Sequence, residues 1–130
     1  MCYNTNMIKA IKTKTKNGAV YHEFYVEIFK TWVSVVNTKQ GIKKMLIHEE
    51  IIEDPNTFKG ITFLTRSGEG VVVLLNKEQG ADISTLAHEL VHVTSFIFDR
   101  IGLERSDKPC QDEVEAYLME LLINKFKHLV

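Results

Sequence analysis

Cysteine is nearly absent: Cys2 and Cys110 are the only two in 130 residues. One pair could close only one bridge, and the spacing matches neither a disulfide framework nor a paired-cysteine zinc site, so both are read as free thiols. An excess of charge of either sign is also missing. Sixteen basic residues stand against seventeen acidic ones, a formal charge of −1, which argues against a nucleic-acid partner. No apolar run approaches the roughly 18 residues of a membrane span, and the start lacks the apolar core of a secretory signal. The expectation is a cytoplasmic chain with no membrane partner.

What is present is ordinary globular composition, 45% hydrophobic and 25% charged. A chain of this length fits one domain, residues 1–130, able to bury roughly two-thirds of its unfolded surface. Asn17-Gly18 is a favoured two-residue turn between Met7–Lys16 and Ala19–Ile28. Pairing Lys16 with Ala19 sets Lys12 against Glu23 and Lys14 against Tyr21 on a wet face. Met7, Ile11, Val20, Phe24, Val26 and Ile28 then share the core face. Lys9, Lys12, Lys14 and Lys16 read as the solvated side of an edge strand rather than as a basic arm.

Trp32–Val36 reads as a further strand, whereas Ile42–Ile52 has apolar residues at mixed spacing and no firm assignment. Asp54-Pro55-Asn56 marks a loop, and Ile61–Thr65 with Val71–Asn76 form a second hairpin around Ser67-Gly68-Glu69-Gly70. From Asp82 the period becomes helical. Ile83, Leu86, Leu90, Ile97 and Ile101 line one face, with Asp82 to cap the start and Gly102 to end it. After a polar loop at 104–110, a last helix of about Gln111–His128 buries Val114, Tyr117, Leu118, Leu121 and Leu122.

The segment His88-Glu89-Leu90-Val91-His92 carries the chemistry. Histidines four apart on a helix stand one above the other and can share a metal ion, and imidazole nitrogen suits zinc. A carboxylate beside the pair can take a proton from metal-bound water, which makes Glu89 the candidate general base. A chance match to this pattern in a chain with five histidines has an expected count of about 0.02. The histidine side of the helix also holds Thr85, Ser95 and Asp99, opposite Leu86, Leu90 and Ile97. A solvated surface helix, or a purely structural metal, would account for the same residues.

The pentapeptide resembles the common motif of the zincin metallopeptidases. Ser95 and Phe98 stand where metzincins carry glycine and a third histidine, so that subclass is excluded. Gluzincins draw a glutamate from a following helix, and here the resemblance implies Glu113, with Glu115 the alternative, as third zinc ligand. Phe98-Asp99-Arg100-Ile101-Gly102 and Glu113…Ala116-Tyr117-Leu118 are similar to segments of small phage- and prophage-encoded zinc peptidases. More distantly the layout is similar to ImmA/IrrE-type minimal gluzincins. The resemblance covers about one-third of the chain. It implies an α+β fold in which an N-terminal antiparallel sheet packs on the motif helix and a C-terminal helix, with peptide or protein as substrate. An edge strand would bind that substrate by strand addition, and Val71–Asn76 is the expected one.

Other residues carry less. Tyr117 could donate to the oxyanion of a tetrahedral intermediate but reads more readily as an ordinary half-buried tyrosine. Asp99 lies about 10 Å along the helix axis from His92, too far for ligation. Cys110 could replace a carboxylate ligand, and His22, His48 and His128 have no partner at ligand spacing. The alternative reading is a protein-binding or regulatory module on a metallopeptidase-like scaffold, with zinc structural or absent.

Overall fold

The computed structural model describes residues 12–16, 19–101 and 109–130. Five strands, β1 Lys12–Lys16, β2 Ala19–Val26, β3 Thr31–Val36, β4 Gly60–Leu64 and β5 Gly70–Leu75, form one sheet in the order β1-β2-β3-β5-β4. Three α-helices accompany the sheet among the described residues: α1 Lys39–His48, α2 Ile83–Ile101 and α3 Pro109–Phe126. The class is α+β, as expected.

The first hairpin has the expected register, Lys16 against Ala19, Lys14 against Tyr21 and Lys12 against Glu23. Its turn at Asn17-Gly18, the strand residues Met7 and Ile11, and Lys9 lie outside the described residues. The wet and buried faces of β2 are less distinct than alternation suggests. Val20 is exposed, whereas Glu23 is 7% exposed and Tyr21 packs on a core cluster. The cause is α1, which covers the face that alternation assigns to water.

That helix occupies much of the stretch whose spacing gave no firm assignment. Thr38 caps it by accepting a hydrogen bond from the Gly41 amide at 3.1 Å, and Ile42, Met45 and Leu46 form its buried stripe. These residues join Val36, Val72, Leu74 and Phe63 in a core on one side of the sheet. The larger core lies on the opposite side. There Val33, Val35, Val71, Val73 and Leu75 meet Leu86, Leu90, Val93 and Ile97 of α2 and Leu118, Leu122 and Phe126 of α3.

The sheet departs from the antiparallel expectation at one pairing, because β3 and β5 run parallel. Helix α1 and strand β4 intervene between them and return the chain to the starting end, the kind of crossover that parallel pairing requires. Strand β5 is consequently interior. Every one of its residues is buried, and its unbroken Val-Val-Val-Leu-Leu run reflects cover on both faces. Val71–Asn76 is therefore not the edge strand; that position belongs to β4. No helix of the described residues is long and apolar enough to cross a membrane.

Helices α2 and α3 bury the expected stripes, with Leu86, Leu90, Ile97, Leu118 and Leu122 fully enclosed. Ile83, at the first turn, is 49% exposed, Tyr117 and Leu121 are only half-buried, and the side chain of Ile101 lies outside the described residues. The α3 helix begins at Pro109, two residues before the expected Gln111, since proline suits a first helical turn. Gly102 and most of the loop before α3 lie outside the described residues.

Candidate metal centre

Helix α2 starts at a reciprocal cap. Asp82 Oδ1 accepts from the Thr85 amide at 3.1 Å, while Thr85 Oγ1 accepts from the Asp82 amide at 3.3 Å. The bond from the Thr85 amide is the main cause that holds the Asp82 carboxyl below its ordinary value. The ionised cap is thus the stabilising form, its contribution complete above the unfolded value near 3.8 and lost as pH falls through the lower folded one. Replacing Asp82 with alanine is expected to lower the melting temperature at pH 7, with the gap between parent and variant narrowing below pH 3.8.

One turn further on, the motif meets the sheet edge. The face of α2 that carries Leu86 and Leu90 is anchored in the core, which leaves His88 and His92 exposed on the outside of the helix. Their ring centroids are 5.1 Å apart and the planes cross at 76°. Glu89 points differently. It is 6% exposed, and its Oε1 accepts a hydrogen bond from the Thr62 hydroxyl of β4 at 2.8 Å. Glu89 Oε2 lies 3.9 Å from His88 Nε2.

Gly60 of β4 makes that approach possible. A Cβ there would lie 2.9 Å from both Glu89 Cγ and Thr85 Cγ2, closer than side chains pack. Neither Gly60 nor Thr62 is identifiable from the sequence as a site residue, because each is recognisable only once β4 is known to lie against α2. A glycine opening a strand that is otherwise β-branched and aromatic was the available signal.

The proposed third ligand is placed but not assembled. Glu113 is exposed at the start of α3, and Glu115, two positions on, is half-buried. Among the described residues, no group of three or more histidine, cysteine, aspartate or glutamate side chains stands together as a metal site. The side chain of Cys110 lies outside the described residues, Asp99 is exposed, and Tyr117 is half-buried on α3. His22 and His128 prove to be neighbours, their ring centroids 6.5 Å apart across 106 residues of sequence. Burial, followed by the charge of His128, lowers the His22 pKa.

The donor set therefore fits zinc in part. Two imidazoles at helical spacing supply two of the three protein donors of an open site, with a buried carboxylate beside them. The third donor is not brought to them. Comparison with protein-family models, curated proteins and solved structures finds no match to this chain.

Proposed function

We propose that this protein is a zinc-dependent peptidase in which His88, His92 and Glu113 hold the metal and Glu89 is the general base. The observation that carries the reading is the division of labour within one helical turn: two exposed imidazoles and, beside them, a buried carboxylate fixed by Thr62. A surface helix has no need to bury the glutamate between two solvent-facing histidines.

When bound, zinc lowers the pKa of a coordinated water and polarises the scissile carbonyl. The chain's own groups do the rest. With Oε1 engaged by Thr62, Glu89 presents Oε2, the oxygen on the His88 side, to take the water proton and pass it to the leaving amine. The edge of β4, next to Glu89, replaces Val71–Asn76 as the strand to which an extended peptide adds. Helix α3 packs along α2 through Val114, Leu118 and Leu122, which puts the chain bearing Glu113 on a neighbouring element. Glu113 would complete the ligand set from there, as the third protein donor that an open zinc site requires. The reading carries with it a cytoplasmic protein acting on peptide or protein, with no nucleic-acid partner.

The unassembled third donor favours a second reading, a protein-binding or regulatory module on the same scaffold with zinc structural or absent. The two are separated by incubating the protein with zinc and a peptide library and identifying new termini by mass spectrometry. Cleavage that requires zinc and disappears in Glu89→Gln supports the peptidase. A cellular or binding activity indifferent to Glu89→Gln, with no cleavage, supports the module.

A further inference from the structure

On the α1 side of the sheet, away from the face packed by α2, lies a cavity of about 240 Å³. Strands β2, β3 and β5 form its floor, the end of α1 supplies Met45 and Glu49, and the β4–β5 turn closes it. Gly70 keeps the floor open, since a Cβ there would come within 3.3 Å of the Trp32 carbonyl oxygen. The turn is tied to the floor by the Trp32 amide, which donates to the Glu69 carbonyl at 3.3 Å.

Two buried side chains that line this cavity each carry a polar atom without a hydrogen-bond partner among the described residues. Ser34 is 9% exposed, lies on the Trp32 and Val36 side of β3, and its hydroxyl makes no hydrogen bond. Glu49 is 7% exposed, and only its Oε2 is satisfied, by the Arg66 amide at 2.9 Å. Glu49 Oε1 has His48 Nε2 at 3.9 Å, beyond hydrogen-bond range. A buried carboxylate oxygen and a buried hydroxyl left unmatched are costly, and a fold that keeps both at one cavity is built to match them from outside.

The remaining lining defines the complement. Glu23 and Glu69 add negative charge, Trp32 and Tyr21 add aromatic surface, and among the described residues no lysine, arginine or histidine lines the cavity. Of the nearby cations, Arg66 is engaged by acidic side chains and Lys12 is the register partner of Glu23. The Arg66 guanidinium is 3.2 Å from Glu50 and its Nε is 3.9 Å from Glu49 Oε2. Glu49 Oε1 is therefore a buried charged atom with no hydrogen-bond donor among the described residues.

We infer that this cavity binds a small organic cation, an alkylammonium or alkylguanidinium group, through Glu49 Oε1 and Ser34 Oγ with Trp32 and Tyr21 at its sides. Charge-assisted hydrogen bonds supply direction, and the aromatic rings favour a cation over a neutral amide. The site is on the opposite side of the sheet from the histidine pair and does not depend on the peptidase reading.

Trp32 is the sole tryptophan and reports on the cavity directly. Its fluorescence is followed while n-butylguanidinium or n-butylammonium is titrated at constant ionic strength, with butyramide as the neutral control and capped arginine amide as competitor. The expected result is a saturable change with at least one cation and none with butyramide. Binding should weaken by about tenfold or more in Glu49→Gln and severalfold in Ser34→Ala. Competition by the arginine amide makes the source a peptide side chain, and its failure makes it a free amine; either upholds the site. Ser34→Ala removes an unmatched hydroxyl and should fold as well as the parent, so it serves if Glu49→Gln does not fold. No saturable change, an equal response to butyramide, or undiminished binding by the folded variants would overturn the inference and leave a cavity filled by water.

Discussion

Glu89→Gln is expected to reduce peptide hydrolysis by roughly 10²–10⁴-fold while leaving zinc content unchanged, the range that loss of a positioned general base produces. The amide preserves the shape of the side chain and can still accept from Thr62, so the buried contact with β4 survives. What is lost is a carboxylate oxygen able to carry a proton. Thr62→Val keeps the base but removes the donor that turns Oε1 into the sheet edge, so its effect should fall mainly on kcat and be smaller. Rescue by Thr62→Ser would identify the hydroxyl as the cause. Cleavage by Glu89→Gln at the parental rate would remove Glu89 from the mechanism.

Leu90→Ala is expected to cost about 2–5 kcal/mol, the range for truncating an enclosed leucine. Leu90 is fully buried in the core that α2 shares with β5 and α3, so the cavity would open directly beneath the motif. For a domain of this size a loss near 3 kcal/mol lowers the melting temperature by roughly 10 °C. Ile52→Ala provides the contrast. Ile52 is 98% exposed, and its removal should leave the melting temperature almost unchanged. A Leu90→Ala protein as stable as the parent would mean that α2 is not seated on the sheet through this face.

Much of this arrangement was legible from local patterns. The Lys12–Glu23 register followed from a turn and an alternation, and α2 followed from its apolar period and the Asp82 cap. Features set by the partner of an element were not legible. Helix α1 has a cap at Thr38 and a short stripe, but Ile47 on its outer side is 78% exposed and blurs the period. Strand order was hidden as well, because an apolar strand such as Val71–Leu75 can form a hairpin with β4 and still lie parallel to β3. The continuous burial of that run pointed to an interior strand, and the expectation of an edge strand gave it too little weight.

At the candidate centre, the histidine pair and Glu89 were readable because helical spacing alone brings them together. Thr62 and Gly60 were not, since only the docking of β4 against α2 gives them a role. The proximity of His22 and His128 was likewise invisible to spacing arguments. Glu113 occupies the intermediate case: a following helix carries it, but the proposed ligation would depend on how the second turn of α3 meets the exposed face of α2.

Zinc per chain, measured by elemental analysis on protein purified without chelator or a metal-affinity tag, tests the central claim most directly. The account predicts close to one zinc in the parent, loss of it in His88→Ala, and weakened retention in Glu113→Ala. Absence of bound zinc in the folded parent, even after the metal is added back, would contradict it and leave His88 and His92 as a surface pair on α2.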